Sequence, residues 1–400
     1  MYAEPTPLAS HAGDKIRVAH VITRFHGAGG AKNTLFTCAG LDKSRFEVDL
    51  IVGASGDRWR AEGAGVNWVQ VNSLQRAVHP AADVRAAQAL VRLYRERSYH
   101  IVHTHLAKAG ILGRWAARQA GTPVVIHGLH GATFDPRLRT PNDWLYFFLE
   151  RRAAPWTDRI VSVGDDLRQR YLAAGIGRPE QYTVIHSGMN LDAFRAAARM
   201  TAAERQSKRA GLGLAADYYV AGYVAALEWR KGHQQLVELA RRLCPRFPSL
   251  RLLFAGEGVD RLRIERLVTA AGLSDRILFT GYRTDVAEVM ATFDVKLFAS
   301  NREGLPQVLV QAAACGLPVL AFEAEGVREL VHEGLNGYVF PQGAVISMAQ
   351  ALEAFMLAPD TARAMGGQGP GLVDDRWQIV TMQTKTQALY DLLLQAKGLL

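Results

Sequence analysis

Short apolar runs alternate along the whole chain with longer segments that carry their apolar residues at helical spacing. In the first half the runs are RVAHVIT, VDLIVG, HIVHTHL, PVVIHGLHG and RIVSVG. In the second half they are YYVAGYVAAL, LRLLFAGEG, RILFTGY, VKLFAS, LPVLAF and GYVF. Runs that are apolar on both faces are typical of parallel strands covered by helices on both sides. The pattern therefore predicts an α/β protein in which strands and helices alternate.

The strand rhythm is interrupted by an Ala-rich, charged segment at residues 192–217. We interpret this segment as the connection between two domains, because 400 residues are too many for one ordinary core. The predicted domains are 1–195 and 196–379, each doubly wound and Rossmann-like. In open parallel sheets ligands bind beyond the carboxyl ends of the strands, so we expect the two domains to face each other across a cleft.

Composition excludes several classes of protein. Hydrophobic residues make up 49% and charged residues 21% of the chain, which is typical of globular domains and not of disordered or fibrous chains. Cys38, Cys244 and Cys315 lie far apart, outside any Cys-x-x-Cys or Cys/His metal-ligand pattern. The N-terminal residues lack the features of a secretory signal, and no apolar stretch reaches about 18 residues. We therefore expect a cytoplasmic protein.

The formal net charge of +9 is concentrated in the first half of the chain, where residues 1–190 hold 24 Lys and Arg against 16 Asp and Glu. The remaining residues hold 23 against 22. A basic half attracts anionic lipid, a phosphorylated acceptor or nucleic acid by the same long-range electrostatics. An ordinary solvated surface explains the excess equally well.

The most informative segment runs from Ser300 to Val319, SNREGLPQVLVQAAACGLPV. A predicted strand ends near Ser300, a Glu-Gly-x-Pro turn follows at Glu303, and an apolar helix ends before Gly316. A carboxylate beside a helix N-terminus is favoured by the helix dipole, and the free N–H groups there can hold a diphosphate. Gln311 lies within the helix, eight residues after Glu303. Taken alone, the segment is also consistent with a simple capped helix.

This segment resembles the Glu-x7-Glu motif of the retaining family-4 glycosyltransferases, which begins Glu-Gly-x-Pro and ends Gly-x-Pro-Val. The resemblance implies the GT-B architecture, with an acceptor-binding N-terminal domain and a nucleotide-sugar-binding C-terminal domain. In the family the first acid contacts the donor sugar and the second binds the ribose hydroxyls, which assigns these roles to Glu303 and Gln311. Gln311 departs from the family pattern, because an amide accepts a hydrogen bond without the charge-assisted strength of a carboxylate.

Further motifs follow in the family's order from about residue 16 to about residue 390. Residues 224–233, VAALEWRKGH, resemble the strand, turn and helix that carry an Arg and a Lys for the donor diphosphate, with Lys231 at the Lys position. Ala226 stands at the usual Arg position. Whether Arg230 replaces that Arg is left open by the sequence.

Two later turns and one early turn extend the resemblance. The turns FAGEG, at Gly256, and FTGYR, at Tyr282 and Arg283, resemble the turns that lie beside the nucleotide in the family. The turn at Gly29 and Gly30 resembles the glycine turn whose backbone meets the distal phosphate. A lone glycine turn is weak support for such a site.

Four histidines lie at the ends of predicted strands in the first half. His103 and His105 belong to HIVHTHL, and His127 and His130 belong to PVVIHGLHG. The family often shows His-x-x-His-Gly beside the sugar, so we assign His130 to shape or polarise the site. The other three are candidates for contact with the acceptor, although strand-end histidines are more often structural.

The resemblance thus implies a full set of site residues. The residues assigned to catalysis are Glu303, His130 and Lys231. The residues assigned to the donor are Gly29, Gly30, Arg230, Lys231, Gly256, Tyr282, Arg283, Glu303, Gly304, Leu305, Pro306 and Gln311. The acceptor candidates are His103, His105 and His127. No metal ion or cofactor is expected, and a UDP-sugar is favoured over GDP- or ADP-sugars as the donor.

The sequence therefore predicts a retaining, metal-independent glycosyltransferase that moves a sugar from a nucleotide-sugar donor to a saccharide or lipid-linked acceptor. Cell-surface polysaccharide or glycolipid biosynthesis is the expected role, and no nucleic-acid partner is expected. Two alternatives remain: a noncatalytic sugar-nucleotide-binding partner subunit, since Ala226 and Gln311 depart from the family, and a nucleotide-sugar epimerase. A dehydrogenase is disfavoured, because the turn GAGG at 27–30 lacks G-x-G-x-x-G spacing.

Two further segments carry predictions. Residues 144–152, WLYFFLERR, follow Arg137 and Arg139 and combine aromatics with cations, a composition that also occurs in segments that dock peripherally at the anionic inner face of the plasma membrane or hold a lipid-linked acceptor. A core helix with a basic outer face is the alternative. The apolar pattern of residues 377–394 resembles the family's C-terminal helix, so residues from about 380 to 400 are expected to pack back on the first domain.

Overall fold

The computed structural model describes residues 15–26, 29–135 and 139–400. Gly27, Ala28 and Arg137, which contributed to two of the predictions, lie outside the described residues. The chain forms two compact units: the first comprises Met1–Gly188 and Gln378–Leu400, and the second comprises Met189–Trp377. Within the described ranges, none of the helices combines the length and the apolar character that a membrane span requires.

The first unit is a seven-stranded parallel sheet covered by helices. Its strands are β1 (Ile16–Phe25), β2 (Phe46–Gly56), β3 (Asn67–Gln70), β4 (Ile101–His105), β5 (Val124–Leu129), β6 (Arg159–Ser162) and β7 (Tyr182–Val184). Its helices before residue 188 are α1 (Gly29–Ala39), α2 (Arg58–Gly63), α3 (Pro80–Arg97), α4 (Ala107–Ala120), α5 (Pro141–Ala153) and α6 (Asp165–Ala173). The strand order is β3-β2-β1-β4-β5-β6-β7.

The second unit repeats this architecture with a six-stranded parallel sheet. Its helices are α7 (Asp192–Ala197), α8 (Ala202–Gly211), α9 (His233–Leu243), α10 (Arg261–Ala270), α11 (Val286–Ala291), α12 (Gln307–Ala314), α13 (Val345–Leu357) and α14 (Pro359–Gly366). Its strands are β8 (Tyr219–Val224), β9 (Leu250–Ala255), β10 (Ile277–Gly281), β11 (Val295–Phe298), β12 (Val319–Phe322) and β13 (Gly337–Phe340). The strand order is β10-β9-β8-β11-β12-β13. The predicted pair of doubly wound, Rossmann-like domains is confirmed.

The last helix, α15 (Ile379–Ala396), belongs to the first unit although it follows the second in sequence. Its residues Met382, Leu389 and Tyr390 are buried in one cluster with Val18 of β1 and Ile101 of β4. The helix therefore completes the core on one face of the first sheet.

Two strands of the first sheet were not predicted from the sequence, and both are edge strands. β3 is NWVQ and β7 is YTV, so neither contains a continuous apolar run. Edge strands have one neighbour instead of two and are often short, which removes the pattern by which central strands are recognised.

Residues 192–217 are not a simple connection between domains, since they contain α7 and α8 of the second unit. α8 is fixed to the sheet through Asp294, which precedes β11. Asp294 pairs with Arg205 at 2.7 Å and with Arg209 at 2.6 Å. It also accepts a 2.7 Å hydrogen bond from the backbone N–H of Val220 in β8. One carboxylate thus joins a helix to two strands.

We expect Asp294→Ala to lower the free energy of unfolding by about 2–3 kcal/mol, because it leaves two arginines without their carboxylate partner and the N–H of Val220 without its acceptor. Chemical denaturation of the variant measures this loss. The matched control is Asp360→Ala, because Asp360 is 92% exposed and pairs only at the surface with Arg363. Equal stability of the two variants would contradict the anchoring role.

Candidate active site

Lys231 and Glu303 come together in the second unit because the strands that precede them are neighbours. β8 and β11 pair in parallel, so the turns beyond their carboxyl ends lie at the same edge of the sheet. Lys231 Nζ forms an ion pair with Glu303 Oε1, and their side chains are only 15% and 17% exposed. Lys231 lies in a short 3-10 turn, Trp229–Lys231, which precedes α9.

The backbone around Lys231 is fixed by close packing. Gly232 follows with a φ of +75°, and a Cβ there would lie 2.1 Å from the carbonyl oxygen of Ala299. Only glycine allows this approach. On the other side, the buried hydroxyl of Tyr223 donates a hydrogen bond to the carbonyl oxygen of Lys231. The lysine is therefore presented by a rigid turn.

Glu303 lies four residues before the first residue of α12, beside the free N–H groups of that helix. Gly304, Leu305 and Pro306 between them are buried. Gly326, with a φ of +75°, packs on this turn, where a Cβ would lie 2.9 Å from the carbonyl oxygen of Gly304. The predicted carboxylate beside a helix N-terminus is thus present in the structure.

The remaining donor candidates differ in their surroundings. Arg230 is exposed and pairs with Glu228 at 2.6 Å. Arg283 Nε lies 2.8 Å from Asp285. Tyr282 is 63% exposed. Gln311 is half-buried on α12, and Gly256 is half-buried in the turn after β9.

Gly256 brings its turn against the segment in which Ala226 lies. With a φ of +149°, a Cβ at Gly256 would lie 2.0 Å from the carbonyl oxygen of Ala225. Its N–H donates a 2.9 Å hydrogen bond to Gly281 of β10. The turns after three adjacent strands, β8, β9 and β10, are therefore in direct backbone contact.

Lys296 is a buried cation that the sequence analysis missed. It lies on β11 with no exposed surface, 5.0 Å from the ring centroid of Tyr223. Among the described residues, its Nζ has no hydrogen-bond partner. Burial, with a smaller effect of the Lys231 charge, lowers the pKa of Lys296 to about 7. The signal was a cation inside the apolar run VKLFAS.

The predicted residues of the first unit meet at the start of α1. Gly29 and Gly30 open that helix, and a Cβ at Gly30 would lie 3.5 Å from the Cβ of His130. His130 follows β5 and is half-buried, and its Nδ1 lies 3.5 Å from the side-chain nitrogen of Asn33. Burial lowers the pKa of His130 to about 4, so the ring is neutral near pH 7.

The three acceptor candidates require a correction, because His103, His105 and His127 are at most 3% exposed. His127 Nδ1 lies 3.0 Å from the hydroxyl oxygen of Thr104. His105 Nε2 lies 2.9 Å from His20 Nδ1, and His103 Nδ1 lies 2.7 Å from the hydroxyl oxygen of Tyr390. His20 was not among the predicted residues, because it lies inside the apolar run RVAHVIT. These side chains lie in the interior of the first unit and are more deeply buried than His130.

Ring nitrogens of His20, His103 and His105 lie within 4.8 Å of one another, a spacing that a metal ion could use. Their orientation favours hydrogen bonding instead. The rings of His20 and His105 are parallel within 8°, and Nδ1 of the first lies 2.9 Å from Nε2 of the second. Two such nitrogens point at each other, whereas metal ligands direct their lone pairs at a common centre.

Two family models match the chain. Glycosyl transferases group 1 matches residues 204–371, and glycosyl transferase 4-like domain matches residues 28–188. The protein EpsD of Bacillus subtilis (strain 168), named as a glycosyltransferase, is 31% identical over 301 residues, which are 74% of this chain and 77% of that protein. The chain belongs to the group 1 glycosyltransferases.

Other relatives of this glycosyltransferase agree. The UDP-Gal:alpha-D-GlcNAc-diphosphoundecaprenol alpha-1,3-galactosyltransferase of Escherichia coli is 28% identical over 342 residues, 84% of this chain and 87% of the relative. The crystal structure of Anabaena Alr3699/HepE in complex with UDP and glucose matches with a TM-score of 0.79 and 19% identity, over 94% of this chain and 99% of that one. The fold is therefore GT-B, and the protein is a glycosyltransferase of glycan biosynthesis rather than an epimerase.

The buried Lys296 of this glycosyltransferase predicts a pH-dependent stability. Its pKa is about 7 in the native protein against an ordinary 10.5, so between these values the unfolded chain holds about one more proton than the native chain. Stability should therefore increase as the pH rises through that range, by up to about 1.4 kcal/mol per pH unit. Lys296→Met should remove this contribution, which urea unfolding at about pH 7.5 and pH 9.5 measures.

Lys385 is exposed on α15, so Lys385→Met is the control and should keep the wild-type pH slope. An unchanged slope in Lys296→Met would show that the buried amine does not lose its proton in this range.

Proposed function

We propose that this glycosyltransferase is a retaining enzyme that moves a sugar from a nucleotide-diphosphate donor to a hydroxyl acceptor in cell-surface polysaccharide or glycolipid biosynthesis. The observation that carries the proposal is the Lys231–Glu303 ion pair, held beyond two adjacent strands and beside the N-terminus of α12. A cation and free helix N–H groups suit a diphosphate, and a carboxylate suits a sugar hydroxyl.

UDP is favoured over GDP and ADP as the nucleotide. Support comes from relatives: the Escherichia coli protein is named for a UDP-Gal donor, and the Anabaena protein was crystallised with UDP and glucose. In this proposal Gln311 accepts a hydrogen bond from a ribose hydroxyl, and the turn at Tyr282 and Arg283 lies beside the base. Gly256 keeps that turn in contact with the turn after β8.

In the proposed reaction the bond between the anomeric carbon and the diphosphate oxygen breaks, and its electron pair stays on the diphosphate. The acceptor oxygen bonds to the anomeric carbon on the same face, and its proton passes to an oxygen of the departing diphosphate. Lys231 stabilises the charge that develops on the diphosphate, and Glu303 accepts a hydrogen bond from a donor-sugar hydroxyl. No protein nucleophile is needed, unlike retaining glycosidases with carboxyl groups about 5 Å apart.

The proposal includes independence of a divalent metal ion, because Lys231 and the helix N–H groups supply the positive charge at the diphosphate. Undiminished transfer in the presence of a strong chelator is the expected result. Loss of transfer that added Mg²⁺ or Mn²⁺ restores would contradict this part of the proposal.

The acceptor is proposed to be lipid-linked, and α5 is the proposed docking element for the membrane that holds it. Trp144 and Phe148 are 58% and 64% exposed, beside the exposed Arg151 and Arg152. The inner face of the same helix carries Glu150 in a buried 2.6 Å pair with Arg114 of α4. Acids therefore face inward and aromatics outward, the reverse of an ordinary surface helix.

Aromatic side chains insert at the membrane interface, and arginines beside them are attracted by anionic headgroups. The Escherichia coli relative, named for a diphosphoundecaprenol-linked acceptor, supports a lipid-linked substrate. An anionic membrane surface is accordingly the proposed partner of α5.

Glu303→Gln tests the donor site, because it removes the charge and keeps the shape of the side chain. We expect turnover to fall by about 10²- to 10³-fold, as for other lost transition-state contacts. UDP, GDP, ADP and their sugar conjugates are first screened by thermal stabilisation, and donor hydrolysis and transfer are then measured with the best donor. Glu323→Gln is the control, because Glu323 is exposed and pairs with Arg328.

Turnover near the wild-type value in Glu303→Gln would contradict the assignment. Nucleotide binding by the wild-type protein without turnover on any donor and acceptor would favour the noncatalytic partner-subunit alternative.

The double variant Trp144→Ala/Phe148→Ala tests the docking face. We expect its binding to vesicles of phosphatidylcholine and phosphatidylglycerol to weaken at least about tenfold, since each aromatic contributes about 1.5–3 kcal/mol when buried. Co-sedimentation at low and high salt measures this, and salt should weaken wild-type binding. Trp59→Ala, at a position 65% exposed on α2, is the control. Equal binding of both variants would contradict the assignment to α5.

A further inference from the structure

A continuous chain of hydrogen-bonding groups leads from His130 into the interior of the first unit. The members succeed one another at hydrogen-bond distance, from the surface inward: Asn33, His130, His105, His20, Tyr390 and His103. The successive distances are 3.5, 2.9, 2.9, 3.1 and 2.7 Å. The chain joins α1, the turn after β5, β4, β1 and α15.

The chain uses both ring nitrogens of each histidine between its ends. His105 reaches His130 through Nδ1 and His20 through Nε2. His20 reaches His105 through Nδ1 and Tyr390 through Nε2. A neutral imidazole has one N–H donor and one lone pair, so each ring must donate in one direction and accept from the other. The tyrosine hydroxyl likewise donates once, so the direction of any one bond fixes the direction of all the others.

At the outer end, the side-chain amide of Asn33 lies 3.5 Å from His130 Nδ1. An amide can present either its N–H or its carbonyl oxygen to a ring nitrogen, so Asn33 accommodates both directions of the chain. In one direction His130 carries its proton on Nε2, and in the other it carries its proton on Nδ1.

Burial supports neutral rings throughout the chain. His20, His103 and His105 are at most 3% exposed, and burial lowers the pKa of His20 to about 3 and that of His105 well below 6.5. At the inner end, among residues within the described ranges, no partner lies within hydrogen-bond distance of His103 Nε2. The chain therefore ends there, and no charged group closes it.

We propose that this chain holds His130 in a single neutral tautomer, so that its Nδ1 offers one fixed hydrogen-bonding role to a substrate hydroxyl. The bond from Asn33 to this nitrogen is the longest of the chain, and a hydroxyl can replace it. Tyr390, His20 and His105 are positioning residues in this scheme. The identity of the hydroxyl as a substrate group rests on the proposed function, whereas the tautomer does not.

The experiment measures the tautomer of His130 by two-bond ¹H–¹⁵N NMR on protein with ring-labelled histidine, and the His130 signals are identified by their loss in His130→Gln. The wild-type protein should show one neutral tautomer. Tyr390→Phe removes the link between His20 and His103 and should let the second tautomer of His130 appear. Tyr94→Phe is the matched control and should change nothing, because Tyr94 is also buried in the first unit and its hydroxyl has no partner among the described residues.

Asn33→Asp is a second variant that leaves the interior intact. A carboxylate can only accept, so His130 Nδ1 should carry a proton in this variant, either as the neutral Nδ1–H tautomer or as imidazolium, which the same spectra distinguish. Wild-type His130 in mixed tautomers, identical spectra in all variants, or nitrogen shifts of metal-bound imidazole in the purified protein would each overturn the proposal. A single tautomer of His130 without detectable sugar transfer would support the chain and count against the proposed function alone.

Discussion

The proposed donor site depends on one packing constraint, the contact between the backbones that follow β8 and β11. Gly232 lies so close to the carbonyl of Ala299 that no side chain fits between them. This contact brings the turn of Lys231 to the turn of Glu303, and only then can two oppositely charged side chains meet in a mostly buried place. The ion pair thus depends on the pairing of β8 with β11 and on glycine at position 232. Both place the two charged side chains at the carboxyl edge of the sheet.

The sequence was most informative where the signal is local. Apolar runs located the central strands, and the turn before α12 identified Glu303 and its helix N-terminus from consecutive residues. The sequence was less informative where partners are distant or strands are marginal. NWVQ lacks an apolar run because β3 is an edge strand, and 192–217 looked like a connection because α8 is held through the remote Asp294. Nothing near His20 in the sequence shows that His105 is its partner.

The polar groups buried near Lys231 and near His130 differ in charge. In the second unit Lys231 pairs with Glu303, and Lys296, whose pKa is lowered to about 7 by burial, has no hydrogen-bond partner among the described residues. In the first unit the groups that follow His130 inward are neutral imidazoles and a phenol that bond to one another, although the same unit also holds the buried ion pair of Arg114 and Glu150. A network of neutral groups can fix the orientation of a side chain without placing a charge in the interior, whereas a buried cation such as Lys231 suits a ligand that carries negative charge.

The position of α15 has a consequence for how the protein is made. Met382, Leu389 and Tyr390 complete a core whose other members precede residue 189. During synthesis, residues 1–188 leave the ribosome before these residues of α15 have been translated. Until the second unit has also been translated, the face of the first sheet that α15 covers lacks part of its core. The second unit is contiguous in sequence and needs no such delay. The half that begins the polypeptide is therefore the half that finishes folding last.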